Sequence, residues 1–354
     1  MKSIILCGGK GTRLQPITYT IPKQLIPIAN KPLIVYIIEL LLDSGIDEIA
    51  IVINNNNKVK FQRVLNQYFT NDFEYIIQDN PKGIAHSLLF CEEFINEEKF
   101  IAVLGDNSFN SNLKSFIEDF MNKEQNCKIL LKEVDSPEKY GIAYIGNNKI
   151  INLEEKPKIA FSNLAITGLY AFDNSIFRAS REIQPSNGGE YEITDAIKWL
   201  LFNGYDIGYE ILKGNWRDVG SPMNVIEENI YRLNFIDESI VGEIVNSHIS
   251  GKVTLRKGSV IYNSIVRGPV IIGENTIIKN SYIGPYTSIG NEVKINKTNI
   301  ESSIILDRCT ILAVQNTIDY SILGECSTVS NENGLKKRNR LILGKGSRVY
   351  LQNS

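Results

Sequence analysis

A layered α/β domain followed by a parallel β-helix is the fold that this 354-residue sequence predicts, and three observations predict it. Helical and strand-like periods alternate from residue 1 to about 234, the pattern of helices covering a mostly parallel sheet. A glycine-rich loop follows the first apolar run, and such sheets bind ligands outside the carboxyl ends of their strands. From about residue 237 the helical period stops, and Ile or Val recurs about every six residues with small or turn residues between, the mark of coils that bury a stacked aliphatic column. The domains are therefore placed at 1–236 and 237–354.

Ile4, Ile5 and Leu6 form the first buried strand. Residues 32–44 are apolar almost throughout and end at Gly45, which predicts a helix with a glycine cap. Further strands are expected at 48–53, 73–77, 100–104, 128–134 and 165–172, with helices at 59–69, 84–94 and 112–121. A last helix at 223–233 is opened by the Gly220-Ser221-Pro222 turn. The aliphatic column of the C-terminal part reads Ile265, Ile272, Ile278, Ile283, Ile289, Ile295, Ile300, Ile305 and Ile311, with some steps of five.

The chemistry concentrates after strands. In the loop spanning 6–24, Gly8, Gly9 and Gly11 remove the side chains that would hold a backbone away from an anion. Arg13 and Lys23 add a bidentate fork and a point charge, both suited to phosphoryl oxygens. The loop lacks the Gly-Lys-Ser/Thr ending of a Walker loop and the third glycine of a dinucleotide fingerprint. Gln78 stands at a strand end, where its amide could donate and accept against an imide edge. Gly83, at a helix start, allows close approach to a base or ribose. His86 reads as a wall residue of that pocket, in preference to a general base. Asp106 follows the 100–104 strand in Gly-Asp-Asn, and Asp218 sits in Trp-Arg-Asp-Val-Gly. Mg²⁺ in phosphoryl-transfer sites is held by one or two carboxylates plus substrate phosphates, and these two aspartates supply that number.

Gly-Gly-x-Gly-Thr-Arg-Leu-x-Pro followed by Pro-Lys-Gln-Leu-x-Pro resembles the signature of the sugar-1-phosphate nucleotidyltransferases. Gln24, after the lysine, is similar to the glucose-1-phosphate thymidylyltransferase branch. The resemblance implies a Rossmann-like nucleotidyltransferase domain and a Mg²⁺-dependent reaction of dTTP with glucose 1-phosphate. It implies nucleotide contacts from Gly8, Gly9, Gly11, Thr12, Gln78 and Gly83, catalytic roles for Arg13 and Lys23, and metal binding by Asp106 and Asp218. In the Glu154-Glu155-Lys156-Pro157 motif and its neighbours, it implies sugar-phosphate contacts from Gly141, Glu155, Lys156 and Gly168, with Glu190 beside them. Thr194 is a plausible helix N-cap. Trp199 and Trp216 are read as packing aromatics. Cys7 stands where the family usually has alanine and is read as a small core residue. UTP in place of dTTP, and a non-catalytic sugar-nucleotide sensor, are the alternatives.

The C-terminal repeat resembles the left-handed β-helix of hexapeptide-repeat proteins, which long-form thymidylyltransferases append. Acyltransferases also use such helices, generally with a histidine base. His248, the one histidine of this region, precedes the clear repeats, so a structural and oligomerising role is preferred and a homo-oligomer is expected. Lys336-Lys337-Arg338-Asn339-Arg340 is read as a solvated face or subunit contact.

The apolar content of 43% and charged content of 22% are those of a globular protein. A net charge of -2 argues against nucleic acid as the main partner. No run is apolar and long enough to suggest a signal segment or membrane span, so the expectation is a cytoplasmic protein without a membrane partner. The five cysteines are odd in number and contain no C-x-x-C pair, which argues against a disulfide framework or a zinc site.

Overall fold

The computed structural model describes residues 1–331. Two compact units make up the chain: Met1–Lys10 with Leu33–Asp218, and Gly11–Pro32 with Val219–Ser354. The basic cluster at 336–340 lies outside the described residues. Among the described residues, no helix is long and apolar enough to cross a membrane.

The first unit is built on a nine-stranded mixed sheet. Lys2–Leu6 lies between Glu48–Ile53 and Phe100–Leu104, parallel to both, and Glu74–Ile77 extends the parallel run at one edge. Leu164–Phe172 then pairs antiparallel with Phe100–Leu104 and joins Cys127–Glu133 and the Gly141–Gly146/Lys149–Glu155 hairpin to the sheet. Ile207–Ile211 completes it beside Cys127–Glu133. Central strands buried on both faces must be apolar throughout, and Ile4, Ile5, Ala50, Ile51, Phe100 and Ile101 are all fully buried. Aromatic packing fills one face, with Phe100 stacked on Phe177 at 5.6 Å between centroids.

The predicted helices are present with shifted bounds. Leu33–Asp43 ends at Gly45, which takes φ +82° as a left-handed cap. The 59–69 helix is the shorter Lys58–Leu65, and the single helix expected over 84–94 breaks into Ile84–Leu89 and Glu92–Ile95. Four short strands went unpredicted: Asn107–Asn110, Gly141–Gly146, Ile207–Ile211 and Asn215–Asp218. Three of them are held by distant partners, whereas Gly141–Gly146 pairs with the adjacent Lys149–Glu155.

In the second unit, short parallel strands stack into three ladders with a repeat of about seventeen residues, as in Val253↔Val270↔Thr287. This is a parallel β-helix. Leu255, Ile272, Ile289 and Ile305 line one inner column, and Ile261, Ile278, Ile295 and Ile311 another. The expected column is corrected at its start: Ile265 is 43% exposed, and Val266 takes the inward place in register with Ile283. Strand alternation turns Ile265 outward, because in Ile265–Arg267 only the middle residue is buried. At the corners, Asn263 donates to Asn280, and Asn280 to Asn296, and Asn263, Asn280 and Lys297 take positive φ.

The unit boundary differs from the expected 236/237. Pro222–Leu233 and the 11–32 segment pack with the repeat because buried Asn229 ties them to it. Its Oδ1 accepts from the Ala29 amide at 2.8 Å and from the Ser288 hydroxyl at 2.6 Å. Asn30 adds a bond to the Ile289 carbonyl. Ala29 and Asn30 both have positive φ, the geometry of a two-residue hairpin between Pro27–Ile28 and Lys31–Pro32. The glycine loop is thereby divided between the units after Lys10.

Ile278 is fully buried in the aliphatic column. Ile278→Ala is expected to destabilise the repeat by about 2–5 kcal/mol, read as a lowered denaturant midpoint in equilibrium unfolding.

Candidate active site

Within the first unit, the carboxyl ends of the parallel strands emerge side by side. Leu6 is in register with both Val52 and Leu104. The Gly105 amide donates to the Leu6 carbonyl at 3.0 Å, and the Gln78 amide to that of Ile53 at 2.8 Å. Gly8, Gln78 and Asp106 are thus set on one sheet edge by backbone pairing alone.

Gln78 is completely buried. Its Oε1 accepts the Ser87 hydroxyl at 2.8 Å, and its Nε2 lies 2.9 Å from His86 Nδ1. A Cβ on Gly8 would stand 2.8 Å from that Oε1, so the glycine loop and the amide are in close contact. Gly83, expected to give room for a base, has φ +103°, and a Cβ there would meet the Tyr191 backbone at 2.4 Å. The room it makes is filled by chain: the Tyr191 amide donates to Lys82 O, and the Ala85 amide to Tyr191 O.

Asp106 and Asp218, far apart in sequence, are brought together by a two-stranded ribbon. Asn215–Asp218 pairs antiparallel with Asn107–Asn110, placing Asp218 opposite Asn107, the residue after Asp106. Asn107 organises this corner. Its Nδ2 donates to Asp106 Oδ1 at 3.2 Å, and its Oδ1 accepts from Trp216 Nε1 at 2.6 Å. Trp216 packs edge-on against Tyr140 at 5.3 Å, and Trp199 packs against Tyr205. Two half-buried carboxylates on neighbouring ribbon positions are a donor set that Mg²⁺ accepts when phosphates complete its shell.

The predicted sugar-phosphate residues also converge. Lys149–Glu155 pairs with Gly141–Gly146 so that Glu155 faces Gly141, and a Cβ on Gly141 would lie 2.9 Å from Glu155 Oε2. Lys156 leaves the strand at φ +43° with its ammonium 3.0 Å from Glu155 Oε1. Gly168 sits at φ +73° in the bulge of Leu164–Phe172, packed on Leu104.

Thr194 is not the helix cap. The helix is Ile193–Phe202, Glu192 occupies the cap position, and the Thr194 hydroxyl donates to Glu155 Oε2 at 2.7 Å. Glu155 is therefore held by Lys156 on one oxygen and Thr194 on the other. A separation of 39 residues left no sequence signal for this partnership.

Electrostatics mark the same place. Burial pulls the Lys156 ammonium down, but the Glu155 carboxylate, with Glu192 and Glu190, outweighs it and holds the pKa above the ordinary lysine value. Glu192 is pushed up by burial and then by Glu155. Burial and Glu155 push Asp195 up as well. Clustered carboxylates of this kind are common at functional sites.

Gly11, Thr12, Arg13 and Lys23 belong to the second unit. There the chain runs through three short turns, Thr12–Leu14, Ile17–Tyr19 and Lys23–Leu25. Gly11 takes φ +61°, and its carbonyl accepts the Thr18 hydroxyl. The Gln24 side chain is buried with neither its oxygen nor its nitrogen hydrogen-bonded among the described residues.

A Rossmann-like core followed by a parallel β-helix, with a glycine-rich loop after the first strand, describes a class of nucleotide-handling transferases. Residues 2–233 match the family model described as Nucleotidyl transferase, and the chain belongs to that family. Its similarity to relatives extends to full length, and the chain belongs with the sugar-1-phosphate nucleotidyltransferases. The chain is 35% identical to a glucose-1-phosphate thymidylyltransferase of Streptomyces antibioticus over 99% of this chain and 100% of that one. It is 37% identical to the low-salt glycan biosynthesis nucleotidyltransferase Agl11 of Haloferax volcanii, over 99% and 100% of the two chains. A solved Bacillus anthracis structure, provisionally assigned as a glucose-1-phosphate thymidylyltransferase and holding sucrose, has TM-score 0.63 and 37% identity, covering 68% of this chain and 98% of that one.

The raised carboxyl of Glu192 fixes a sign. Its folded pKa lies above the unfolded value, so ionising it costs stability as pH rises from the ordinary carboxylate range through the folded value. Glu192→Gln is therefore expected to raise the melting temperature at pH about 7 and to lose that advantage at about pH 4, measured by calorimetry at both.

Proposed function

We propose that this nucleotidyltransferase is a Mg²⁺-dependent glucose-1-phosphate thymidylyltransferase, converting dTTP and glucose 1-phosphate to dTDP-glucose and pyrophosphate. The observation that carries the reading is the Glu155–Lys156 pair, which joins a hydroxyl-binding carboxylate and a phosphate-binding ammonium at one strand end. The full-length thymidylyltransferase relative adds support. We assign catalysis to 1–236 and a structural, oligomerising role to the repeat, with a cytoplasmic location.

In this reading an oxygen of the sugar phosphate attacks the α-phosphorus in line, and the bond to the β-phosphate bridging oxygen breaks to release pyrophosphate. The nucleophile is already anionic, so no general base is required. Catalysis then rests on positioning and on charge. Lys156 orients the attacking phosphate, and Glu155 with the Gly141 and Gly168 backbone holds sugar hydroxyls. Gly8, Gly9, Gly11, Thr12 and Gln78 form the nucleotide's seat, and Gly83 borders it by holding the Tyr191 backbone close to the helix that follows. Arg13 neutralises the departing pyrophosphate and Lys23 the α-phosphate. Asp106 and Asp218 would hold Mg²⁺, which when bound supplies positive charge to the triphosphate.

Pyrophosphate release across a panel of nucleotides and sugar 1-phosphates tests the assignment. dTTP with glucose 1-phosphate should give the highest kcat/KM. UTP is the nearest competitor, since a single methyl discriminates by only about 1–3 kcal/mol. Silence across the panel would return the chain to a sugar-nucleotide sensor.

Two substitutions separate the roles. Asp106→Asn should abolish Mg²⁺-supported turnover while circular dichroism shows an intact fold; near-normal turnover would remove the metal assignment. Lys156→Ala should raise KM for the sugar phosphate much more than for dTTP in steady-state assays, and the reverse pattern would reassign the residue to the nucleotide.

A further inference from the structure

Gln78, His86 and Ser87 form a hydrogen-bonded chain with two complete arrangements. In the structure, Gln78 Nε2 faces His86 Nδ1 at 2.9 Å and Oε1 takes the Ser87 hydroxyl at 2.8 Å. An amide nitrogen only donates, so Nδ1 must accept, and the ring proton of neutral His86 lies on Nε2. The Ser87 hydroxyl has a second acceptor within reach, the Gly83 carbonyl at 3.1 Å.

A proton taken from solvent onto Nδ1 makes both ring nitrogens donors. Two donors would then face each other at 2.9 Å beside a wholly buried amide, which is costly. A half-turn of the amide relieves it. Oε1 then accepts from Nδ1–H, and Nε2 donates to the Ser87 oxygen. The Ser87 hydrogen passes to the Gly83 carbonyl. Every group stays bonded, but the edge next to Gly8, where Oε1 now lies, changes from acceptor to donor.

We propose that His86 is a positioning residue for the nucleotide: its protonation state sets which way the Gln78 amide faces, so nucleotide binding weakens when His86 takes up a proton. The inference rests on the reading that Gln78 and Gly8 border the nucleotide. Lys82 precedes the helix that carries His86, Phe90 lies edge-on at 5.1 Å, and Tyr191 stacks at 6.1 Å from the segment before the Ile193–Phe202 helix. Burial first, and then the Lys82 charge, hold the His86 pKa below its ordinary value, which keeps the ring neutral at neutral pH.

The test has two parts. The chain has two histidines, so ¹⁵N spectra of the wild type and of His248→Gln identify His86 directly. The neutral ring should show the Nε2–H tautomer, and the Gln78 amide signals should shift with the His86 titration; an Nδ1–H tautomer, or an amide blind to that titration, overturns the proposal. This part needs no substrate, so it stands apart from the identity of the reaction. In steady-state assays with the best nucleotide of the panel, its KM should rise several-fold between about pH 7.5 and about pH 5, with kcat changing less. His86→Gln should flatten that rise, whereas any limb caused by Glu192 or Asp195 would persist. A wild-type KM that is flat with pH, or a rise unchanged in His86→Gln, overturns the proposal while leaving the thymidylyltransferase reading intact. Absence of turnover with every nucleotide would overturn that reading and the nucleotide role of His86 with it, while the spectra would still decide the amide reversal.

Discussion

The register of the Lys2–Leu6 strand is the constraint on which the candidate site depends. Parallel pairing on both sides brings Leu6, Val52 and Leu104 to the same level, and Ile53 carries the level on to Gln78. A slip by one residue would turn every apolar side chain to the other face and carry Asp106 away from the glycine loop. Because the central strands are buried on both faces, the cost of such a slip falls on the whole core. The positions of the chemical groups are thus secured by aliphatic side chains that take no part in the chemistry.

Around that edge, polar groups are held by one another. Asn107 receives Trp216 and gives to Asp106, and Glu155 is shared between Lys156 and Thr194. Such chains pre-orient charged groups before a substrate arrives, which is the form of preorganisation that electrostatic catalysis needs. Their cost is visible in Glu192 and Asp195, whose carboxyls are pushed up by burial near Glu155. The closest packing lies at the glycines. At Gly83 and Gly141 even one extra carbon would meet backbone or a carboxylate oxygen under 3 Å.

Much of this was legible in the sequence. The α/β core, the change to a six-residue period and the strand ends bearing Gln78, Asp106 and Glu155 follow from local patterns of apolar and turn residues. The short polar strands were not legible. Asn215–Asp218 exists because Asn107–Asn110 pairs with it, and a ladder partner more than a hundred residues away leaves no local period. For the same reason Thr194 looked like a cap, and Ile265 looked like a core residue. The roles given to Arg13 and Lys23 rest on motif resemblance, whereas the partnership of Glu155 and Lys156 can be seen in the fold.

The sequence by itself determined the two kinds of architecture and the family. These depend on periodicity and on contiguous motifs, which the linear order of residues contains in full. Tertiary structure alone decided which distant side chains meet: Asp106 and Asp218 are brought near each other by the Asn107 ribbon, Glu155 bonds to Thr194, and Gln78 bonds to His86 and Ser87. It also decided where the compact units divide, because one buried asparagine, Asn229, draws the 11–32 segment and the Pro222–Leu233 helix to the repeat. A hydrogen bond is short and directional, so its partners are set by the folded path of the chain and not by their spacing along it.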